Sequence, residues 1–267
     1  MGTLYVVGTP IGNLKDITFR AVEILQNVSF IACENIKHTE ILLKYYDINK
    51  PLVSYHKFSE RQKSGEIVEK ILSGQDCALV SDAGMPAISD PGAILVKEAL
   101  NKGIKVESVP GPSAVTSAIS ISGLEYNAFS FLGFLPEKEK DKRTILENFK
   151  NSIYPLVLYV APHDLEKTAN FLLKELGDRK VTAVKEITKI YETVYETSLS
   201  NFEIDNMKGE FVLIVHPVEK KELSDSEILE LIKTELNKGK SKKETVVYLS
   251  KKYDINKNRI YELTIQI

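Results

Sequence analysis

Short apolar runs alternate with longer stretches of helical period through the first half of the chain. Leu4-Tyr5-Val6-Val7, Phe30-Ile31-Ala32-Cys33 and Cys77-Ala78-Leu79-Val80 carry no charged residue, the pattern of strands buried on both faces of a sheet. Ile104 to Val109 reads as a further strand. Between these runs, Ile17, Ala21, Ile24 and Leu25 mark the apolar face of a helix, with Asp16 as its expected cap. Ile41, Leu42 and Tyr45 mark a second helix. Ser59-Glu60-Arg61-Gln62 has capping-box spacing and opens a third, through Ile67, Ile71 and Leu72. A fourth covers residues 93 to 101 and ends at Gly103. This alternation predicts a parallel, doubly wound α/β sheet with right-handed crossovers.

The second half repeats the class without repeating the sequence. Ala128 to Phe134 is strand-like, and Glu137 to Arg143 reads as a charged linker into a helix. Pro155 to Val160 is a buried strand, followed by Ala161-Pro162-His163-Asp164 as the cap of a helix carrying Leu165, Ala169 and Leu172. Strands are expected at 180–185 and 210–215. From Ser224 the period is helical only, with capping-box spacing at Ser224–Glu227 and again at Ser241–Glu244. That segment reads as three short helices, the last two with helix-turn-helix rhythm. The expected organisation is an N-terminal α/β domain over 1–115, a C-terminal α/β domain over 116–220 and a basic helical tail over 221–267.

Hydrophobic residues make up 43% of the 267, enough for packed cores and too many for a disordered chain. No apolar run approaches the ~18 residues of a membrane span. Met1 to Pro10 lacks the basic start and long apolar core of a signal peptide. A cytoplasmic protein without membrane contact is expected. Cys33 and Cys77 lie in strand-like runs and read as small buried hydrophobes. His38, His56, His163 and His216 are scattered singly, so no metal-ligand set is expected. A net charge of −2 excludes a bulk nucleic-acid binder but not a local basic patch. Lysine-rich stretches lie at 137–143 and 233–259.

Candidate chemistry gathers in loops at the ends of strands. Ser81 to Gly92 follows a buried strand directly and contains Asp82, Gly84, Pro86, Pro91 and Gly92. In open α/β sheets ligands bind outside the carboxyl ends of the strands, and a glycine there lets backbone approach a ligand. The same residues also suit a strand-to-helix turn with no ligand at all. Gly8 to Asn13 and Pro110 to Ala114 are two more such loops. None has the G-x-G-x-x-G dinucleotide or G-x-x-x-x-G-K-[ST] phosphate-loop pattern.

Five ordered strings carry a resemblance: T-P-I-G-N-L at Thr9–Leu14, S-D-A-G-x-P at Ser81–Pro86 with S-D-P-G at Ser89–Gly92, P-G-P-S-A at Pro110–Ala114, G-F-L-P at Gly133–Pro136, and K-G-E-F-V-L-I-V at Lys208–Val215. In this order the chain resembles the ribosomal small subunit RNA methyltransferase I family of the tetrapyrrole-methylase superfamily. The resemblance implies two α/β domains with S-adenosylmethionine in the cleft between them, and a helical tail. It implies transfer of a methyl group to the ribose 2′-hydroxyl of a cytidine in the decoding region of 16S ribosomal RNA, by a homodimer. Carried over residue by residue, the cofactor loops map onto Pro10, Asp82, Ala83, Gly84, Ser113 and Ala114. Tyr159 and Gly209 are expected to complete the cleft.

A ribose hydroxyl is a weak nucleophile, so a base or orienting carboxylate would help. Glu34, Asp82 and Glu186 lie at predicted strand ends and are the candidates. Each also suits a helix cap or a lysine partner. Where the family usually reads A-E-D-T-R, this chain has Glu34-Asn35-Ile36-Lys37 after Cys33. Leu132 replaces the glutamate of E-G-F-L-P, and Tyr159 to Asp164 lacks a glutamate and an arginine of Y-E-x-x-H-R. Two other readings stand beside the first: a methylase of a small, tetrapyrrole-like metabolite, and a ribosome-associated binder of the same fold that has lost activity.

Overall fold

The structure, a computed structural model, describes residues 1–218, 223–253 and 255–267. They divide into two compact units, Met1–Val218 and Glu219–Ile267. The larger unit holds two five-stranded sheets.

The first sheet contains β1 (Thr3–Val7), β2 (Phe30–Cys33), β3 (Leu52–Ser54), β4 (Cys77–Val80) and β5 (Lys105–Val109), in the order β3-β2-β4-β1-β5. Every pairing is parallel, as the alternating pattern predicts. The helices between them are α1 (Phe19–Asn27), α2 (Ile36–Tyr45), α3 (Glu60–Leu72) and α4 (Ala93–Asn101). Unbroken apolar runs suit the strands because both faces are covered. Cys77 and Leu79 of β4 enter the core that holds Ile67, Ile71, Leu95 and Ala99. Ala78 and Val80 enter the opposite core, with Ala21, Leu25 and Leu43.

Two helix starts differ from expectation. Thr18 caps α1, its hydroxyl accepting from Ala21 N at 3.1 Å. Asp16 lies in a separate short turn, and its carboxylate takes the Thr188 hydroxyl instead. Ser59 makes no capping box: its φ/ψ of −109°/−4° is already helical, and its hydroxyl donates back to the His56 carbonyl at 3.1 Å. At the tail both expected boxes form, at Ser224–Glu227 and Ser241–Glu244.

The second sheet contains β6 (Ser130–Phe134), β7 (Leu156–Val160), β8 (Lys180–Lys185), β9 (Thr193–Ser198) and β10 (Phe211–Val215), in the order β6-β7-β10-β8-β9. It is mixed, against the parallel expectation. Only β6–β7 is parallel, because β10 enters antiparallel between β7 and β8. Its faces alternate along β7: Leu156, Leu158 and Val160 join α7 (Leu165–Leu176) in one core. Val157 faces α5 (Ala114–Ile121), which contributes Val115 and Ala118. So the helix that starts from the last loop of the first sheet packs on the second.

The expected linker at 137–143 is mostly helix, since α6 spans Glu139–Glu147. Lys142 acts there as an apolar residue: it is buried, one turn before buried Leu146, with its ammonium 5.5 Å from the Phe171 ring centroid. Leu132, the glutamate replacement, packs on the second sheet's core. The tail unit is α8 (Asp225–Asn237), α9 (Lys242–Tyr253) and α10 (Lys257–Ile265) around Ile228, Ile232, Leu249, Ile260 and Leu263.

Candidate functional site

β4, β1 and β5 are neighbours in the sheet, so the three predicted loops emerge side by side from their carboxyl ends. Backbone holds them together. Thr9 and Gly84 exchange hydrogen bonds of 2.9 and 3.1 Å, and the Thr9 hydroxyl donates to the Ser81 carbonyl at 3.1 Å. Gly8 and Gly111 lie back to back; a Cβ on Gly8 would come within 2.7 Å of Gly111 Cα. That distance admits no side chain, so glycine is required at both positions for the loops to cross. Pro10, Asp82, Ala83 and Gly84 are thereby fixed around one junction. Ser113 stands at the start of α5 with its side chain unused as a cap, which leaves the hydroxyl available.

Glu34 ends β2 beside this junction, and the Asp82 N–H donates toward its carboxylate. Burial, then the charges of Asp82 and Asp90, push the Glu34 carboxyl above its usual range. Asp90 is raised in the same way, by burial first and Asp82 second. Asp82 Oδ1 is buried with no hydrogen-bond partner. Among the described residues none of the three forms an ion pair. Burial and the neighbouring negative charge disfavour ionisation of Glu34 and Asp90 and so work against the fold at neutral pH. Asp90 and its neighbour Ser89 lie in the quoted S-D-P-G string, but sequence reasoning gave Asp90 no role. The signal was a second Ser-Asp pair a few residues beyond Ser81-Asp82.

The pH dependence follows from these raised values. Native Asp90 holds its proton to a higher pH than unfolded Asp90, so stability declines as pH rises through the interval between the two. Asp90→Asn should therefore be more stable than the parent protein at neutral pH, and the two should converge in acid. Urea unfolding at both pH values checks this; an equal gap at both would rule out the carboxylate charge as the cause.

The second sheet closes on the same junction. Gly133, at φ +63° beside a register shift in β6, brings its Cα face to Ser89, with a Cβ position 3.2 Å from Ser89 Oγ. Tyr159 stacks edge-on with Phe131, centroids 5.0 Å apart. Burial, then the charge of Asp90, raises its phenol, which receives the Val115 N–H. Glu186 has a different setting. Its Oε1 accepts from Lys189 Nζ at 3.0 Å and from Glu210 N at 2.9 Å. Although burial opposes it, these bonds and the Lys189 charge hold the carboxyl low. Gly209, at φ +106°, packs on that side chain, where a Cβ would meet Glu186 Cγ at 2.6 Å. Lys189 in turn lies against Gly12 of the first loop. The structure thus groups Glu34, Asp82, Asp90 and Tyr159, and gathers Glu186, Lys189 and Gly209 into a separate brace. Asn35 caps α2, its side-chain oxygen accepting from His38 N at 3.3 Å.

Two α/β sheets meeting over backbone-rich strand-end loops define the class. The family model for Tetrapyrrole (Corrin/Porphyrin) Methylases matches residues 3–203. Solved structures agree on the fold: diphthine synthase superposes with a TM-score of 0.61 at 16% identity, over 85% of this chain and 93% of that one. The methyltransferase CobJ gives 0.63 at 15%, over 84% and 98%. Two relatives called ribosomal RNA small subunit methyltransferase I are much more similar. That of Bacillus subtilis (strain 168) is 37% identical over 98% of this chain and 94% of its own length. That of Halalkalibacterium halodurans is 43% identical over 80% and 75%. The chain belongs to the ribosomal RNA small subunit methyltransferase I family of the tetrapyrrole methylases, whose methyl donor is S-adenosylmethionine.

The residues fit that donor. S-adenosylmethionine carries an ammonium and a sulfonium, and the unpaired Asp82 oxygen, with Glu34 and Asp90 beside it, would supply compensating charge. Among the described residues no cluster of His, Cys, Asp and Glu is placed to hold a metal ion.

Proposed function

We propose that this protein methylates the ribose 2′-hydroxyl of a cytidine in the decoding region of 16S ribosomal RNA. The observation carrying this reading is the extent of the similarity. The Bacillus relative matches 98% of the chain, helical tail included, while the CobJ fold covers 84% and leaves a remainder close to the tail in size. A methylase of a small metabolite has no use for a separate lysine-rich unit.

When bound, S-adenosylmethionine supplies an electrophilic methyl group. The chain's own work is to hold donor and acceptor in line and to take a proton. Pro10, Asp82, Ala83, Gly84, Ser113 and Ala114 form the donor's cradle, with Tyr159 facing them from the second sheet. Of the candidate bases, Glu34 suits the proton best: its raised carboxyl is nearer neutral pH and it is not tied into an ion pair. Glu186, braced by Lys189, sets the shape of the second-sheet loops and leaves the proton to Glu34. The division at residue 115, a homodimeric assembly and a cytoplasmic location belong to the same reading; no helix among the described residues is long and apolar enough to cross a membrane.

The test is incubation with methyl-labelled S-adenosylmethionine and either purified small subunits or tetrapyrrole precursors, followed by nuclease digestion. Label in 2′-O-methylcytidine is the expected result. Label in a tetrapyrrole, or in no substrate, overturns the reading.

A further inference from the structure

Charge in the tail unit is sorted by position. Asp225, Glu227 and Glu230 lie in the first half of α8, whereas the lysines gather at the α8–α9 turn and along one side of α9. Lys243, Val247 and Lys251 follow one another at four-residue spacing, which stacks them on one helix face. Beside them runs the row Glu244, Tyr248 and Lys252. With Lys238 and Lys240 of the turn they line an open groove of about 930 Å³.

Two of these lysines are held in place. Lys238 and Lys240 share the carboxylate of buried Glu235, at 2.8 and 2.5 Å. The Lys240 ammonium also sits 3.3 Å from the Tyr248 ring centroid, a close cation–π contact. The other three lack an acidic partner: among the described residues no carboxylate pairs with Lys243, Lys251 or Lys252, and Lys252 rests on the Tyr248 and Tyr253 rings, 5.4 and 5.2 Å from their centroids. Val247 remains 49% exposed between them, so the groove has an apolar floor and a cationic rim.

The spacing selects the partner. Lys243 and Lys251 are two helical turns apart, about 12 Å at 1.5 Å per residue. Two ammonium groups that far apart can each meet a different phosphate of one strand. With Lys240 lying on the Tyr248 ring, that face is not open for a base to stack on. We infer that this face of α9 and the α8–α9 turn bind the sugar-phosphate backbone of RNA, with Lys243 and Lys251 as direct phosphate contacts. The inference rests on the RNA-substrate reading above and adds the surface that would hold the substrate.

The full chain tests it through two variants of equal charge: Lys243→Gln/Lys251→Gln on the face and Lys233→Gln/Lys257→Gln elsewhere on the tail. Glutamine keeps helix propensity close to that of lysine. Binding to a uridine homopolymer and to small subunits is measured across salt. The face variant should lower the slope of log K against log salt by about 1.4 on the single-stranded polymer and leave calorimetric binding of S-adenosylmethionine unchanged. The control should keep most of the slope. Equal slopes in both variants, or no polymer binding by the parent protein, overturn the inference. So does loss of binding to phosphatidylserine vesicles in the face variant with RNA binding intact, which would make this a membrane surface. A parent that methylates subunits while the face variant binds RNA like the parent keeps the functional reading and removes the surface. A parent that binds polymer through this face yet transfers no methyl group does the reverse.

Discussion

Gly84→Val should abolish binding of S-adenosylmethionine at concentrations that saturate the parent protein. From sequence alone the reason would be a side chain filling space that the ligand approaches. The structure gives a different one. A Cβ at Gly84 would meet Ile11 Cγ2 at 3.4 Å and the Pro112 carbonyl at 3.6 Å, ordinary contact distances. The obstacle is the backbone, at φ +76°, where an L-residue costs about 1–2 kcal/mol and a β-branched one more. Valine would relieve that strain by rotating the peptide, and Gly84 shares both of its backbone hydrogen bonds with Thr9. Moving Gly84 therefore moves Pro10 and Asp82 together, the two sides of the cradle. Gly84→Ala lacks the branch and bears only the backbone strain, so roughly a tenfold loss is expected, about 1.4 kcal/mol. Isothermal calorimetry on both variants, with circular dichroism to confirm folding, checks the order. Parental affinity in a folded Gly84→Val protein would show that the loop junction does not hold the donor.

Which elements could be read from sequence depended on how much of each was buried. β4 was legible because all four residues are buried and apolar. β3 is three half-buried residues, Leu52-Val53-Ser54, too short for a period to show. β9, Thr193 to Ser198, pairs with β8 alone; none of its residues is fully buried and it has no continuous apolar run. α6 was hidden by its own charges, since Lys142 does the work of a hydrophobe. The order of the second sheet was out of reach because β10 inserts between two strands that precede it in sequence.

The site divides in the same way. Gly84 and Pro10 stood out as local punctuation, and the backbone bridge between the loops joins Gly84 to Thr9, next to Pro10. Grouping Glu34 with Asp82 and Asp90 requires β2 and β4 to be neighbours, which no spacing reveals across so long an interval. Glu186 could be read either as a strand-end base or as a lysine partner, and the fold decides for the second: Lys189, three residues on, donates to it at 3.0 Å.

Truncation after Val218 should separate donor binding from the RNA docking inferred for the tail. Residues 1–218 form one compact unit with both sheets and four cores of their own among the described residues. The tail has a core of its own. The shortened protein should therefore fold and bind S-adenosylmethionine within about twofold of the full chain, since sites in separate compact units couple weakly. Association with the small subunit should fall and lose most of its salt dependence. If Lys238, Lys240, Lys243, Lys251 and Lys252 each neutralise one phosphate, the slope of log K against log salt should become shallower by about four. Most of the affinity at low salt goes with it, and any remaining binding belongs to the 1–218 unit. Calorimetry for the donor and sedimentation with purified subunits across salt make the measurement. Equal subunit affinity and an equal salt slope in a folded truncation would mean that the tail caps the enzyme and that the RNA is held by the 1–218 unit alone.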